Sequence, residues 1–289
     1  MRISGVFSVY HADNPSFLNE ALKSILRNQT RLLDQCVGVI EGEISLELTA
    51  VCDQFKEVKW LQMSQSNSFG LPRALNMAVN SCDGDIIMKI DTDDICAVNR
   101  VESTIAAFEK NPSLTIHGGQ IQEFSNDFKR SFGIRSVPTR NLEIRNFSKF
   151  RNPFNGPTVA FKKEAFTGCG GFPQVGANED YCLWSLFLVN GLDASNSSTI
   201  YAYMRGGEGL VVRRSSAATR KGEYEALKYL KEIDHLNYAQ FIVHVLGKQV
   251  VRRLPVKWNS YIYSKLRRNR DQSIPQNLLS ILQKIQNEN

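Results

Sequence analysis

The chain has 289 residues, 42% hydrophobic and 22% charged, which is ordinary globular composition with enough apolar side chains for a core. Its net charge of +6 and pI near 9.0 fit anionic partners such as nucleotide diphosphates, membrane surfaces or nucleic acid without choosing among them. No stretch approaches the roughly 18 uninterrupted apolar residues of a spanning helix. The nearest, Phe241 to Val251, is broken by His244, Gly247 and Lys248.

The charge is unevenly placed. From Arg205 to Arg270 the bases outnumber the acids by about ten, and the rest of the chain is mildly acidic. The six cysteines form no C-x-x-C pair, so neither a zinc site nor a redox motif is indicated. With polar residues already at His11-Ala12-Asp13-Asn14, no signal peptide is expected, and reduced thiols in a cytoplasmic protein are the reading.

Strand-like and helix-like segments alternate. Ile3–Tyr10 reads as a strand, and Asn14-Pro15 opens a helix to about Asn28 with Phe17, Ala21, Leu22, Ile25 and Leu26 on one face. Strands follow at Cys36–Ile40, Val58–Met63 and Asp85–Ile90, separated by helices over Ile44–Phe55 and from Phe69-Gly70-Leu71-Pro72 to Asn80. A helix over Val98–Lys110 precedes a strand at Leu114–Phe124. This order predicts right-handed crossovers and a mostly parallel sheet, with ligands beyond the carboxyl ends of its strands. Ser125 to Asn155 reads as a long connection with some strand. Thr158–Phe161 is strand-like, Tyr181–Val189 a helix entered from Asn178-Glu179-Asp180, and Thr199–Met204 a last strand. Beyond Ser216 the chain reads as helical and basic, and there is no internal repeat.

Asp91-Thr92-Asp93-Asp94 follows an apolar strand directly. Three carboxylates in four residues repel one another and resist burial, and a divalent cation removes that penalty. Oxygen ligands suit Mg²⁺ or Mn²⁺, which keep positions open for substrate phosphates. An acidic turn capping the next helix is the competing reading.

Around this turn stand Asn67, Gly70, Arg73-Ala74-Leu75-Asn76, Gly84-Asp85-Ile86-Ile87, Asn152-Pro153-Phe154, Gly170-Gly171-Phe172 and Glu179-Asp180-Tyr181-Cys182-Leu183-Trp184. With this ordered set the sequence resembles the family-2 glycosyltransferases of GT-A fold, in the branch of bacterial O-antigen and amylovoran-type exopolysaccharide enzymes. Ser8 to Pro15, Asn28-Gln29-Thr30, Tyr203-Met204-Arg205, Arg213-Arg214, Arg252-Arg253-Leu254-Pro255 and Tyr261 to Arg268 extend the resemblance over nearly the whole chain.

The resemblance implies an α/β catalytic domain over 1–215, a Rossmann-like, mostly parallel sheet flanked by helices, and a basic helical region over 216–289. It implies that Asp91 and Asp93 hold the donor ribose and a Mn²⁺ or Mg²⁺ ion bridging its diphosphate, with Asp94 an added acid. Glu41 stands where the family usually has an Asp that contacts uracil; it keeps the carboxylate and reaches one methylene further. Tyr10 would line the nucleotide pocket and Arg73 would help neutralise the diphosphate. Asp180 matches the catalytic base of an inverting transfer, in which the acceptor hydroxyl must lose its proton as it attacks. A helix cap is the alternative for Asp180, and core packing is the alternative to sugar stacking for Trp184. Gly156, in Asn155-Gly156-Pro157, departs from the His common in this branch.

The function implied is transfer of a hexose (glucose, galactose or an N-acetyl form) from a UDP-sugar to an undecaprenyl-diphosphate-linked saccharide of O-antigen, capsule or exopolysaccharide. Arg205, Arg213 and Arg214 could form a flap over the donor, or a solvated basic face. The segment from Lys248 to Arg270 interleaves charge with Trp258, Tyr261, Ile262 and Tyr263, which suits a surface helix on anionic headgroups of the inner membrane's cytoplasmic face, or a helix packed on its own domain. A sugar-phosphate nucleotidyltransferase would want glycines after the first strand, and Tyr10-His11-Ala12-Asp13 has none. Nucleic-acid binding rests on charge alone, without a motif, and is not expected as a partner. A saccharide-binding protein without turnover would not need Asp180. His11, His117, His235 and His244 show no ligand spacing and read as structural or exposed.

Overall fold

The computed structural model describes residues 1–64, 70–206, 217–253 and 273–287, with the backbone alone at 217–218 and 248–253. The strands are β1 (Ile3–Tyr10), β2 (Gln35–Glu41), β3 (Val58–Met63), β4 (Ile86–Lys89), β5 (Ile95–Cys96), β6 (Leu114–Phe124), β7 (Ser131–Arg135), β8 (Ala160–Lys162) and β9 (Asp193–Arg205). They form one sheet in the order β3-β2-β1-β4-β8-β6-β9-β5, with β7 paired to β6. The β3-β2-β1-β4 half is parallel, as expected from its strand–helix alternation. The other half is mixed: β8 runs antiparallel to β4 and β6, and β9 parallel to β6.

Local sequence sets the early elements. In α1 (Pro15–Leu26), the Asn14 side chain accepts from Phe17 N at 3.1 Å and proline occupies the first helical position. In α2 (Leu46–Gln54), Ser45 accepts from Leu48 N at 3.2 Å, so the helix starts two residues later than its apolar pattern predicts. Helices α3 (Gly70–Asn80) and α4 (Arg100–Lys110) complete the crossovers. Alternate residues of the sheet feed two cores. Ile3, Phe7 and Val9 pack with α1, α2 and α4; Val6, Val37, Val39 and Ile87 pack with α3 and with α7 (Glu179–Val189).

Several elements depart from the sequence expectation, among them the two-residue strand β5, which pairs with β9. Helix α5 (Asn141–Ser148) lies in the stretch read as a connection. Its apolar residues are few, and it is fixed by Arg145, which donates to Leu188 O at 2.5 Å and Leu192 O at 2.8 Å beyond α7. Helix α6 (Lys163–Gly168) is a short turn after β8. Strand β9 begins six residues early, through the polar Asp193 to Ser198, because β6 supplies a parallel partner along its length, with register shifts.

Helices α8 (Ala217–Glu232), α9 (Tyr238–Arg253) and α10 (Gln276–Asn287) follow. Ala226, Leu227 and Leu230 of α8 pack on Tyr181 and Cys182 of α7. Leu278, Ile281 and Ile285 of α10 pack on Phe124, Phe128 and Tyr203. Among the described residues no helix is long and apolar enough to cross a membrane. Asn67, Arg213, Arg214 and most of the basic segment, 254–272, lie outside the described residues.

Candidate active site

The register of the parallel half gathers the acidic residues. Tyr10 at the end of β1 stands opposite Glu41 at the end of β2, and β4 ends one strand away, two residues before Asp91. These carboxyl ends open into a cavity of about 1240 Å³. Its lining includes Ser8, Tyr10, Asp13, Glu41, Lys89, Asp91, Asp93, Asp94, Asn152, Gly156, Glu179 and Asp180. The structure thus brings together Tyr10, Glu41, Asp91, Asp93 and Asp180. Arg73 is exposed on the first turn of α3 and is not among the lining residues.

Each acid has its own surroundings. Asp91 accepts a hydrogen bond from Lys89 Nζ. Asp94 is buried, and its Oδ1 accepts from the Arg205 backbone N–H at 2.9 Å. Burial, then the neighbouring Asp93 and Asp91, hold the Asp94 carboxyl well above the usual range. Burial pushes Asp13 to about 6, with Asp93 and Glu41 adding to it. Glu41 is also raised by burial. Its carboxylate lies against Gly70, so a side chain at the start of α3 would make Glu41 shift.

Asp180 sits in the first turn of α7. Asn178, in the left-handed region at φ 59°, turns the chain into the helix, a conformation asparagine tolerates. The preceding Gly170 and Gly171 also have positive φ, and Asn76 of α3 pins this loop through Phe172, by Nδ2 to its O at 3.0 Å and Oδ1 from its N at 2.8 Å. Beneath α7 lies an aromatic cluster of Phe154, Phe161, Phe172, Trp184 and Phe187. Trp184 is fully buried there, so it holds the helix in place and does not face the cavity. Asp180 Oδ2 accepts from Asn152 Nδ2 at 3.1 Å, and its Oδ1 from the Tyr181 N–H at 2.6 Å. Burial raises the Asp180 carboxyl, and Lys89 opposes that rise. Glu179 beside it is pushed to about 7 by burial and by Asp180.

Lys89 is the residue that sequence reading missed. It is buried, hydrogen-bonded to Asp91, and close enough to Asp180 and Glu179 that all three acids favour its charged form. Burial alone would lower its pKa; the Asp91 carboxylate outweighs that, and the net shift is upward. A signal was present: a lysine ending the apolar strand Ile86–Lys89, two residues before Asp91, points to the same side as that acid. Asn152 and Asp13 enter the sequence reading only as part of the resemblance, without a role, and Arg135 does not enter it. Arg135 lines the cavity, donates to Asn155 Oδ1 at 2.9 Å and pairs with buried Glu123 at 3.5 Å.

Residues 6–168 match the model of the family Glycosyl transferase family 2. The chain belongs to glycosyl transferase family 2. This transferase is 32% identical over 266 residues to the UDP-Gal:alpha-D-GlcNAc-diphosphoundecaprenol beta-1,3-galactosyltransferase of Escherichia coli, across 92% of this chain and 96% of that one. It is 27% identical over 266 residues to the amylovoran biosynthesis glycosyltransferase AmsE of Erwinia amylovora, across 92% of this chain and 99% of that one. S. aureus TarS in complex with UDP-GlcNAc superposes with a TM-score of 0.61 at 18% identity, over 81% of this chain and 66% of that one, a likeness of fold. The expected family and GT-A architecture are therefore found.

Arg205 of the transferase, read from sequence as part of a flap or a solvated face, is neither. It is buried, with its guanidinium 4.1 Å from the Phe17 ring and 4.4 Å from the Phe128 ring, and bonded to Glu20, to Asp93 O and to Asn126 O. Through Asp93 O and Asp94 it braces the acidic loop at the cavity wall. The histidines are structural where buried: His117 bonds Ser195 and Tyr201, His235 bonds Ser148 O, and burial lowers both to about 4.

Proposed function

We propose that this transferase moves a hexose from a UDP-sugar to a lipid-linked saccharide, with inversion at the anomeric carbon and a divalent cation at the donor. The observation that carries this reading is Asp180, set by Asn152 and Lys89 in the same cavity as Asp91, Asp93 and Asp94. Tyr10 and Glu41 would flank the uracil and Asp91 the ribose. Asp180 would take the proton of the acceptor hydroxyl as its oxygen bonds to the anomeric carbon and the bond from that carbon to the diphosphate breaks. The product is the extended saccharide and UDP.

The acids suit Mn²⁺ or Mg²⁺ in a particular way. Among the described residues no three His, Cys, Asp or Glu side chains converge on one metal position. Asp91 and Asp94 are already engaged, by Lys89 and by the Arg205 backbone. Asp13 and Asp94 are raised first by burial and then by the neighbouring Asp93, with Glu41 adding at Asp13 and Asp91 at Asp94. A cation among these clustered carboxylates would offset their mutual repulsion. Such a set fits an ion held by one or two carboxylates, Asp93 with Asp91, and otherwise by donor phosphates and water. When bound, the ion would stabilise the charge of the departing diphosphate.

The acceptor class follows the E. coli relative, whose name specifies a GlcNAc-diphosphoundecaprenol acceptor. Association with the membrane surface through the basic segment around 248–270 belongs to the same proposal, as does the division into a catalytic domain over 1–215 and a basic region over 216–289. A thermal-shift screen of nucleotides and nucleotide sugars, each with and without Mn²⁺, tests the donor reading. A metal-dependent rise in melting temperature with UDP and one UDP-sugar is expected; no rise with any nucleotide would overturn it.

A further inference from the structure

The cavity has two unlike ends. The donor end is lined by carboxylates. Beyond Asp180 the wall changes character: Phe147 and Phe150 come from α5 and the turn after it, Ala226, Leu227 and Leu230 from α8, and Val243 and Gly247 from α9. Leu227 and Leu230 are buried, but Phe150 is 71% and Val243 66% exposed although both face the cavity. Large apolar side chains held in water on a cavity wall gain free energy when hydrocarbon covers them. Arg151 lines the cavity with its guanidinium 4.5 Å from the Phe147 ring, and stands in the chain between exposed Phe150 and Asn152, which bonds Asp180. Thr219, Glu223 and His244 are the polar residues among the α8 and α9 lining.

We infer that this wall is the seat of the acceptor's isoprenoid diphosphate, with the first isoprene units on Phe150 and Val243 and the diphosphate toward Arg151. The inference rests on the proposed lipid-linked acceptor and assigns it a place. Three observations choose this occupant over a bare saccharide or the bilayer itself. The wall is continuous with the cavity that holds Asp180, so a ligand seated there presents its sugar to the base. Thr219, Glu223 and His244 add polar groups to this wall, but its most exposed large side chains, Phe150 and Val243, are hydrocarbon, and a saccharide alone would leave them in water. Arg151 packs on the Phe147 ring and is followed in the chain by Asn152, the partner of Asp180, which puts a cation between the hydrocarbon of Phe150 and the base, where a diphosphate between lipid and sugar would fall.

The test uses two soluble probes with the same headgroup and unlike tails, farnesyl diphosphate and dimethylallyl diphosphate. Their binding is measured by calorimetry to the full chain with saturating UDP and Mn²⁺, so that the donor's own diphosphate site is filled. The wild type should bind the farnesyl probe at least about tenfold tighter, and the exposed double variant Phe150→Ser, Val243→Ser should lose most of that ratio. Arg151→Gln should weaken both probes alike. Equal affinity of the two probes for the wild type, or a ratio untouched in the double variant, would overturn the assignment. A third arm measures binding to anionic vesicles without carrier lipid. If the double variant loses vesicle binding and keeps the farnesyl preference, the face is a membrane seat and the inference is wrong. Failure of UDP to bind at all would instead overturn the donor reading, and is seen separately in the UDP titration.

Discussion

Lys89→Met probes the link between Asp180, the proposed base, and the acidic loop at Asp91. Methionine keeps the unbranched stem and removes the charge. A Cβ on Gly156 would stand 3.1 Å from Asp180 Oδ2 and 4.0 Å from Lys89 Nζ, so those two atoms are at most about 7 Å apart. At an effective dielectric near 20, unit charges about 7 Å apart attract by roughly 2 kcal/mol, a factor of about 30 in a proton equilibrium. The sign follows from the base's surroundings. Burial already raises the Asp180 carboxyl and Lys89 holds it down, so removing the ammonium raises it further and leaves less ionised base at a given pH. Since only the carboxylate accepts the acceptor's proton, the acid limb of kcat/KM should move to higher pH. Activity should drop tenfold or more on the acid side and recover toward alkaline pH. The assay is sugar transfer measured from about pH 5 to about pH 9, alongside UDP affinity, because Lys89 also bonds Asp91. Lys89→Arg, which keeps the charge, should keep the limb near its place. An acid limb that does not move in Lys89→Met, or a uniform loss at every pH, would refute the coupling.

Other outcomes follow from the same geometry. Asp93→Ala should abolish the metal-dependent part of UDP binding, and equal UDP affinity with and without EDTA in the wild type would remove the metal from the account. Asp13, raised to about 6, binds protons more readily folded than unfolded, so its contribution to stability is present at low pH and lost as pH rises through about 6. Asp13→Asn should therefore stabilise the ligand-free protein at pH 7 by about 1 kcal/mol, after allowance for its partial exposure, and flatten stability between about pH 4 and pH 6 in denaturant titrations. Trp184→Ala removes the centre of the cluster under α7 and should cost about 3–5 kcal/mol, read as a lowered melting temperature. If the variant melts as the wild type does, the tryptophan does not support the helix that carries Asp180.

The parallel half of the fold was legible because its signals are local: apolar strands of the right length, Asn14-Pro15 and Ser45 as caps, and helices between them. The remaining half depends on partners distant in sequence. α5 is tied by Arg145 to the end of α7, and polar Asp193 to Ser198 becomes strand because β6 pairs with it, and neither fact is visible in a window of sequence. The same division holds at the site. The acids Asp91, Asp93 and Asp180 stood out by motif, and the structure gathers them. Arg205 did not read as buried, since its neighbours Glu20, Phe17 and Phe128 come from other elements. Lys89 carried a signal in its strand phase, although its nearness to Asp180 comes from the packing of α7 against the sheet.

The central claim is that Asp180 removes the acceptor's proton in a transfer from a UDP-sugar. The most direct test follows radiolabelled sugar from the UDP-sugar selected by thermal shift into a lipid-linked saccharide, with wild type and Asp180→Asn at matched UDP affinity. The account predicts label in the lipid fraction with the wild type and none above background with the variant. Transfer by Asp180→Asn at the wild-type rate would contradict it.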